Sequence, residues 1–123
     1  MAKNNDTGKQ GEDMARKHLM ENGYLILESN WRIGRNEADI IAYKDGKIVF
    51  VEVKTRSNTD FGDPESFVDR NKQRAYVKLA NAYILQKRRE EEVRFDIIAV
   101  NINKDETTIN HLENAFTMLD TKR

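Results

Sequence analysis

The chain has 123 residues, 21 basic and 21 acidic side chains, no formal net charge and no cysteine. That length supports one domain with a real core, expected over 1–123 with frayed tails at 1–6 and roughly 114–123. The missing cysteines exclude a disulfide framework and a thiolate zinc site, and the charge balance argues against a binder that works by bulk positive charge. Residues Met1 to Asp6 lack the apolar stretch of a signal peptide, and no run approaches the ~18 apolar residues of a membrane span. A cytoplasmic location with no membrane partner is expected.

Thr7 to Gln10 reads as a capping box opening a first helix, which runs to about Asn22 with Gly23 just past its end. Glu12, Ala15, Arg16 and Leu19 share one face at helical spacing, so Glu12 is expected to point toward a sheet. The alternative is a first-turn glutamate that simply complements the helix dipole. Gly8 and Gly11 lie near the same stripe and permit close backbone approach. His18 and His111 have no partner at metal-ligand spacing and read as surface residues. Tyr24 to Leu27 is a short strand, and Asn30–Arg32 with Gly34–Asn36 form a polar, basic connection.

A β-hairpin follows over 39–54. Asp45-Gly46 is a type I′ turn signal between two apolar, β-rich runs. A two-residue loop sets the register: Lys44 faces Lys47, Tyr43 faces Ile48, Ile41 faces Phe50 and Asp39 faces Glu52. Lys54 points to the same side as Glu52. Two carboxylates about 5 Å apart repel by about 3 kcal/mol at an effective dielectric near 20. Both faces of the hairpin are apolar, as in a sheet covered on each side. Acids inside such a layer need a compensating partner, and a divalent cation is the simplest. The alternative is a pair of solvated strand-end residues with no joint role.

Thr55 to Pro64 reads as a loop. A long helix is predicted from Pro64 or Glu65 to about Arg89, with Tyr76, Leu79, Ala80, Tyr83 and Ile84 as its apolar stripe. Between Arg70 and Arg89 there are seven basic residues and no acid. Such a run is either a phosphate-binding stripe or an ordinary solvated face. Phe95 to Val100 is a buried strand and Thr107 to Leu112 an edge strand. The order helix, strand, hairpin, helix, strand predicts a three-layer α/β domain: a central mixed β-sheet flanked by helices.

Asp39 followed by Glu52-x-Lys54 on the next strand resembles the PD-(D/E)xK nuclease superfamily. The wider pattern resembles the YraN-like family of bacterial proteins, akin to Holliday-junction resolvases. It comprises Gly8, Gly11-Glu12, Ala15, Leu19, Gly23-Tyr24, Asn30-Trp31-Arg32, Glu37-x-Asp39, Phe50 to Arg56, Phe61-Gly62-x-Pro64 and Arg94-Phe95-Asp96. The resemblance spans about Gly8 to Ile102, and Phe50 to Arg56 is its most specific part. Asn36 and Ala38 depart from the usual Gly-Glu-Ile-Asp; asparagine tolerates a left-handed turn residue.

The resemblance implies a restriction-endonuclease-like fold and Mg²⁺- or Mn²⁺-dependent hydrolysis of DNA phosphodiesters, selected by structure rather than sequence. Asp39 and Glu52 would be metal ligands, Lys54 the catalytic lysine and Glu12 an additional helix-borne acid. Arg32, Arg35, Arg56, Lys72 and Arg74 are candidates to position flanking phosphates. A two-fold dimer is implied by enzymes that cut paired strands. The rival expectation is a nucleic-acid-binding module of the same fold with little or no catalysis. A third is an interaction protein whose acids are neutralised by lysines, for instance Glu37 facing Lys54.

Overall fold

The structure, a computed structural model, describes residues 3–57 and 68–118, with side chains from Thr7 onward. Among the described residues, two helices and five strands follow in the order α1 (Lys3–Glu21), β1 (Leu25–Ile33), β2 (Asn36–Lys44), β3 (Lys47–Arg56), α2 (Arg70–Lys87), β4 (Glu92–Ile102) and β5 (Thr107–Phe116). The strands form one sheet in sequence order. Only β3 and β4 pair in parallel; the other neighbours are antiparallel. A parallel pair needs a crossover, and α2 lies within it.

The two apolar faces of the hairpin go to different helices. Ile41, Ile48 and Phe50 pack with Phe95 and Ile97 under Tyr76, Leu79, Ala80 and Tyr83 of α2. Ile40, Ala42, Val49, Val51 and Val53 pack with Ile98 and Val100 under Ala15 and Leu19 of α1. This is the expected three-layer, restriction-endonuclease-like arrangement. The β2–β3 register is Lys44↔Lys47, Tyr43↔Ile48 and Ile41↔Phe50. Asp45 (φ 51°) and Gly46 (φ 80°) both sit at positive φ, as a type I′ turn requires.

Several boundaries differ from expectation. Thr7 lies inside α1, which begins at Lys3; residues 3–6 contain no Gly or Pro to break a helix. β1 runs on through Asn30–Arg32, because a bulge between Ile26 and Glu28 and a left-handed Asn30 (φ 52°) hide its alternation. The β1–β2 turn places its positive φ at Gly34 (59°), so Asn36 is an ordinary strand residue. Thr55 and Arg56 belong to β3, not to a loop. α2 starts at Arg70, where the Asp69 carboxylate caps it by accepting the Lys72 N–H; Pro64 and Glu65 lie outside the described residues. β5 extends to Phe116, whose ring stacks on Phe95 at 4.8 Å, so Asn114 to Phe116 are not a frayed tail.

The two histidines are not surface bystanders. His18 Nε2 lies 3.1 Å from His111 Nδ1, and His111 Nε2 lies 2.7 Å from Asp96 Oδ2. Burial alone would push Asp96 up. Hydrogen bonds from His111, Arg94 and the Asn114 N–H outweigh it and hold the carboxyl below its ordinary range. Spacing in sequence could not show this, because the contact joins α1 to β5 across 93 positions.

Of the two glycines on α1, only Gly11 is sterically required. A Cβ there would meet the Thr55 side chain, whereas one at Gly8 would meet nothing within 4 Å. Gly8→Ala should therefore stabilise the protein by up to about 1 kcal/mol through helix propensity. Gly11→Ala should destabilise it by about 1–3 kcal/mol through overpacking. Urea melts of both variants check this; equal effects would refute the close approach of α1 to β3.

Candidate active site at the carboxyl end of β3

Beyond the pair Ile40↔Val51 the β2–β3 ladder stops, and β2 continues paired with β1 alone. Asp39 stands at that parting point. Its Oδ2 accepts the Val53 N–H at 2.8 Å, taking the place of a strand partner. Glu52, on the α2 side of β3, is only 4% exposed. The first turns of α2 bring Lys72 and Tyr76, four residues apart, over it. The Tyr76 hydroxyl donates to Glu52 Oε1 at 2.6 Å and accepts the Asp39 N–H at 3.3 Å. Glu52 Oε2 lies 3.6 Å from Lys54 Nζ and 3.4 Å from Lys72 Nζ.

Glu52 thus carries two ammonium partners and a phenol. Asp39 has no cation beside it among the described ion pairs. Burial, then the Glu52 charge, pushes its carboxyl up to about 8; Glu12 adds to the effect and the Val53 N–H opposes it. The repulsion expected between the two acids is relieved in this state by a retained proton on one and lysines on the other. Tyr76 is raised well above its ordinary value by its burial and by the Asp39 and Glu52 carboxylates. It remains a neutral donor.

Glu12 comes to the site from α1, where its Oε1 accepts the Asn30 side-chain amide at 3.2 Å. Asn30 is the left-handed residue of β1, lying between the pairs Ser29↔Ile40 and Trp31↔Ala38. Glu12 thus lies near enough to Asp39 to act on its charge, while Lys54 sits on Glu52. Among the described residues, no three acidic or histidine side chains are already closed around one point. Two carboxylates suit Mg²⁺, which keeps several waters and takes few protein ligands.

The basic candidates are only partly gathered. Lys72 reaches Glu52 while its side chain stays 43% exposed. Arg32 pairs with Glu37 at 3.4 Å, and Glu37 is thereby not the partner of Lys54. Arg35 is exposed in the β1–β2 turn. Arg56 closes β3, with a guanidinium nitrogen 3.1 Å from the Thr55 carbonyl. Arg74 is exposed and donates to Asn71 at 3.2 Å. The Arg70–Arg89 run is not one stripe, because Lys87 reaches Glu28 and Arg89 pairs with Glu91. Tyr76 and Asn30 were missed as site residues. Tyr76 reads as core from its apolar spacing, and the only signal to the contrary is a lysine one turn before it.

An unfolded aspartate titrates near 3.9, whereas Asp39 holds its proton to about 8 in the fold. Between those values the folded chain binds the extra proton, so stability falls as pH rises from about 4 to about 8. Asp39→Asn removes this slope, which is at most about 1.4 kcal/mol per pH unit. Urea midpoints in chelator at pH 5 and pH 8 should converge for the variant and diverge for the wild type. Parallel profiles would mean that Asp39 is already ionised at pH 5.

The model of the uncharacterised protein family UPF0102 matches residues 11–100. A UPF0102 protein of Flavobacterium psychrophilum is 48% identical over 116 residues, covering 94% of this chain and 98% of its own length. One from Flavobacterium johnsoniae is 46% identical with the same coverage. One from Bacteroides thetaiotaomicron is 47% identical, covering 94% of this chain and 96% of its own. The matched segment contains Glu12, Asn30, Asp39, Glu52, Lys54, Lys72 and Tyr76 together, and the chain belongs to the UPF0102, or YraN-like, family.

Proposed function

We propose that this protein is a Mg²⁺-dependent nuclease that hydrolyses DNA phosphodiesters at positions selected by nucleic-acid structure. The observation that carries the reading is the convergence of Asp39, Glu52 and Lys54 where β2 parts from β3. Asp39 and Glu52 would hold the ion, which Mn²⁺ can replace, and a bound cation supplies charge for the phosphate and acidity for a coordinated water. Asp39 gives up its proton to take that role. Tyr76 keeps Glu52 Oε1 fixed. Lys72 shares Glu52 Oε2 in the metal-free state and is placed to turn to a phosphate. Lys54, one pleat beyond Glu52, stabilises phosphate charge or assists deprotonation of the attacking water. An ammonium has no lone pair and cannot itself be a ligand. Arg35, Arg56 and Arg74 serve as sequence-blind phosphate contacts. No described helix ends in a groove-reading motif.

A second reading rests on the two lysines at Glu52. They satisfy its charge without a metal, which suits a nucleic-acid-binding module of the same fold that does not cleave. Two variants separate the readings. Lys54→Ala should abolish single-turnover cleavage of a four-way junction while Mg²⁺ affinity stays near wild type. Glu52→Ala should lose both. Wild-type protein that cleaves no branched, duplex or single-stranded DNA with Mg²⁺ or Mn²⁺ overturns the enzyme and leaves the binding module.

Affinity for DNA should fall with salt at a log–log slope of about −0.9 per phosphate neutralised. The combined Arg35→Ala and Arg74→Ala variant should flatten that slope by about two contacts' worth. An unchanged slope would place the DNA elsewhere on the surface.

A further inference from the structure

At the other end of α1, about two helical turns past Glu12, a cavity of ≈ 330 Å³ is lined by His18, Asn22, Tyr24, Lys44, His111 and Glu113. Its chemistry differs from the acidic site, because two imidazoles face each other in it. Their nitrogens, His18 Nε2 and His111 Nδ1, are 3.1 Å apart, and the rings meet edge to face with centroids at 5.2 Å. Two nitrogen ligands on one tetrahedral ion, at about 2.0–2.1 Å each, stand about 3.3 Å apart. The spacing already present is within a few tenths of an ångström of that.

The outer contacts are those that orient a metal-binding histidine. His111 Nε2 is directed at Asp96 Oδ2 at 2.7 Å. The Asp96 side chain is fully buried and also receives Arg94 and the Asn114 N–H. A carboxylate so placed fixes the hydrogen on Nε2 and leaves the Nδ1 lone pair toward His18. A carboxylate behind an imidazole both sets the tautomer and strengthens the ligand. Glu113 supplies an oxygen on the cavity wall: it is 59% exposed, with Oε2 3.4 Å from the Tyr24 hydroxyl and Oε1 3.9 Å from Arg94. Among the described residues, Lys44 brings an opposing charge to the lining and Arg94 another behind Glu113. The Lys44 Nζ is held on the Asn22 carbonyl at 2.8 Å and over the Tyr24 ring.

We propose that His18, His111 and Glu113 form a site for a late first-row divalent cation, with Zn²⁺ as the expected occupant. His111 Nδ1 is preset as a ligand; His18, whose Nε2 donates to it at 3.1 Å in this state, shifts that hydrogen to its Nδ1 when the ion enters, and Glu113 turns in from the wall. Imidazole nitrogen selects such ions over Mg²⁺, so this site and the acidic one take different metals. The ion would join α1 to β5, and so fasten the edge strand to the helix that also carries Glu12.

Titration with Co²⁺ tests this, because a four-coordinate nitrogen–oxygen site gives strong visible absorption that Zn²⁺ then bleaches. Wild-type protein should show one saturable Co²⁺ site that excess Mg²⁺ leaves intact. His18→Ala should weaken binding about tenfold or more, and Glu113→Gln less. His18→Ala leaves the His111–Asp96 bond in place and should retain the fold, as circular dichroism checks. Asp39→Asn and Glu52→Gln should bind Co²⁺ here as wild type does, so failure of the nuclease reading is distinguishable from failure of this one. No saturable Co²⁺ or Zn²⁺ binding below ~0.1 mM, or unchanged affinity in His18→Ala, reduces the pair to a hydrogen-bonded strut and overturns the site.

Discussion

The Tyr76 hydroxyl sits where α2, β2 and β3 meet, and the geometry of the acidic site depends on it. One oxygen touches the Glu52 carboxylate, the Asp39 backbone N–H and, at 3.4 Å, the Val51 carbonyl. Its single proton goes to the shortest of these, the carboxylate. The ring below is 1% exposed in the core beneath α2, so packing fixes the phenol and the phenol fixes the acid. A buried group held this way cannot drift, which is what a carboxylate that orients a ligand requires. The same arrangement makes the site a product of the core rather than an addition to its surface.

Electrostatics then separates the two acids. Lys54 and Lys72 both lie on the Glu52 side, 3.6 and 3.4 Å from its Oε2. Asp39 is left with a neutral N–H donor and two nearby acids. One hairpin therefore gives two chemically similar groups different charged neighbours, by where the second helix delivers its lysine. A cation arriving between them would displace a proton and loosen an ion pair, so binding is coupled to both.

The hairpin was legible in sequence because a two-residue turn fixes register by geometry, but the expected Asp39–Glu52 strand pair does not form: the ladder ends at Ile40↔Val51, and the Asp39 side chain takes the Val53 N–H instead. Alternation along β2 and β3 was strong enough to assign two buried faces, and α1 and α2 were legible by period. What was hidden depended on long-range contact. β1 was cut short because a bulge and the left-handed Asn30 break its period. α2 began later than its proline suggested, since Asp69 made the better cap. Lys72 reads as a DNA contact in sequence because nothing local reveals that it crosses to Glu52. The His18–His111–Asp96 chain joins three elements, and no spacing rule could assemble it.

The parallel pairing of β3 with β4 means that α2 must follow the hairpin in the chain. During synthesis Asp39 and Glu52 emerge first, and Lys72 and Tyr76 come later. At about 5–20 residues per second the acids wait roughly one to seven seconds for the phenol and the second ammonium. Through that interval the nascent hairpin has only Lys54 against two carboxylates and nothing over the apolar face that α2 will cover, although α1, made earlier, is available for the other. Its edges are least protected then, so the sequence separation between acid and counter-charge sets a window of vulnerability that the finished domain no longer shows.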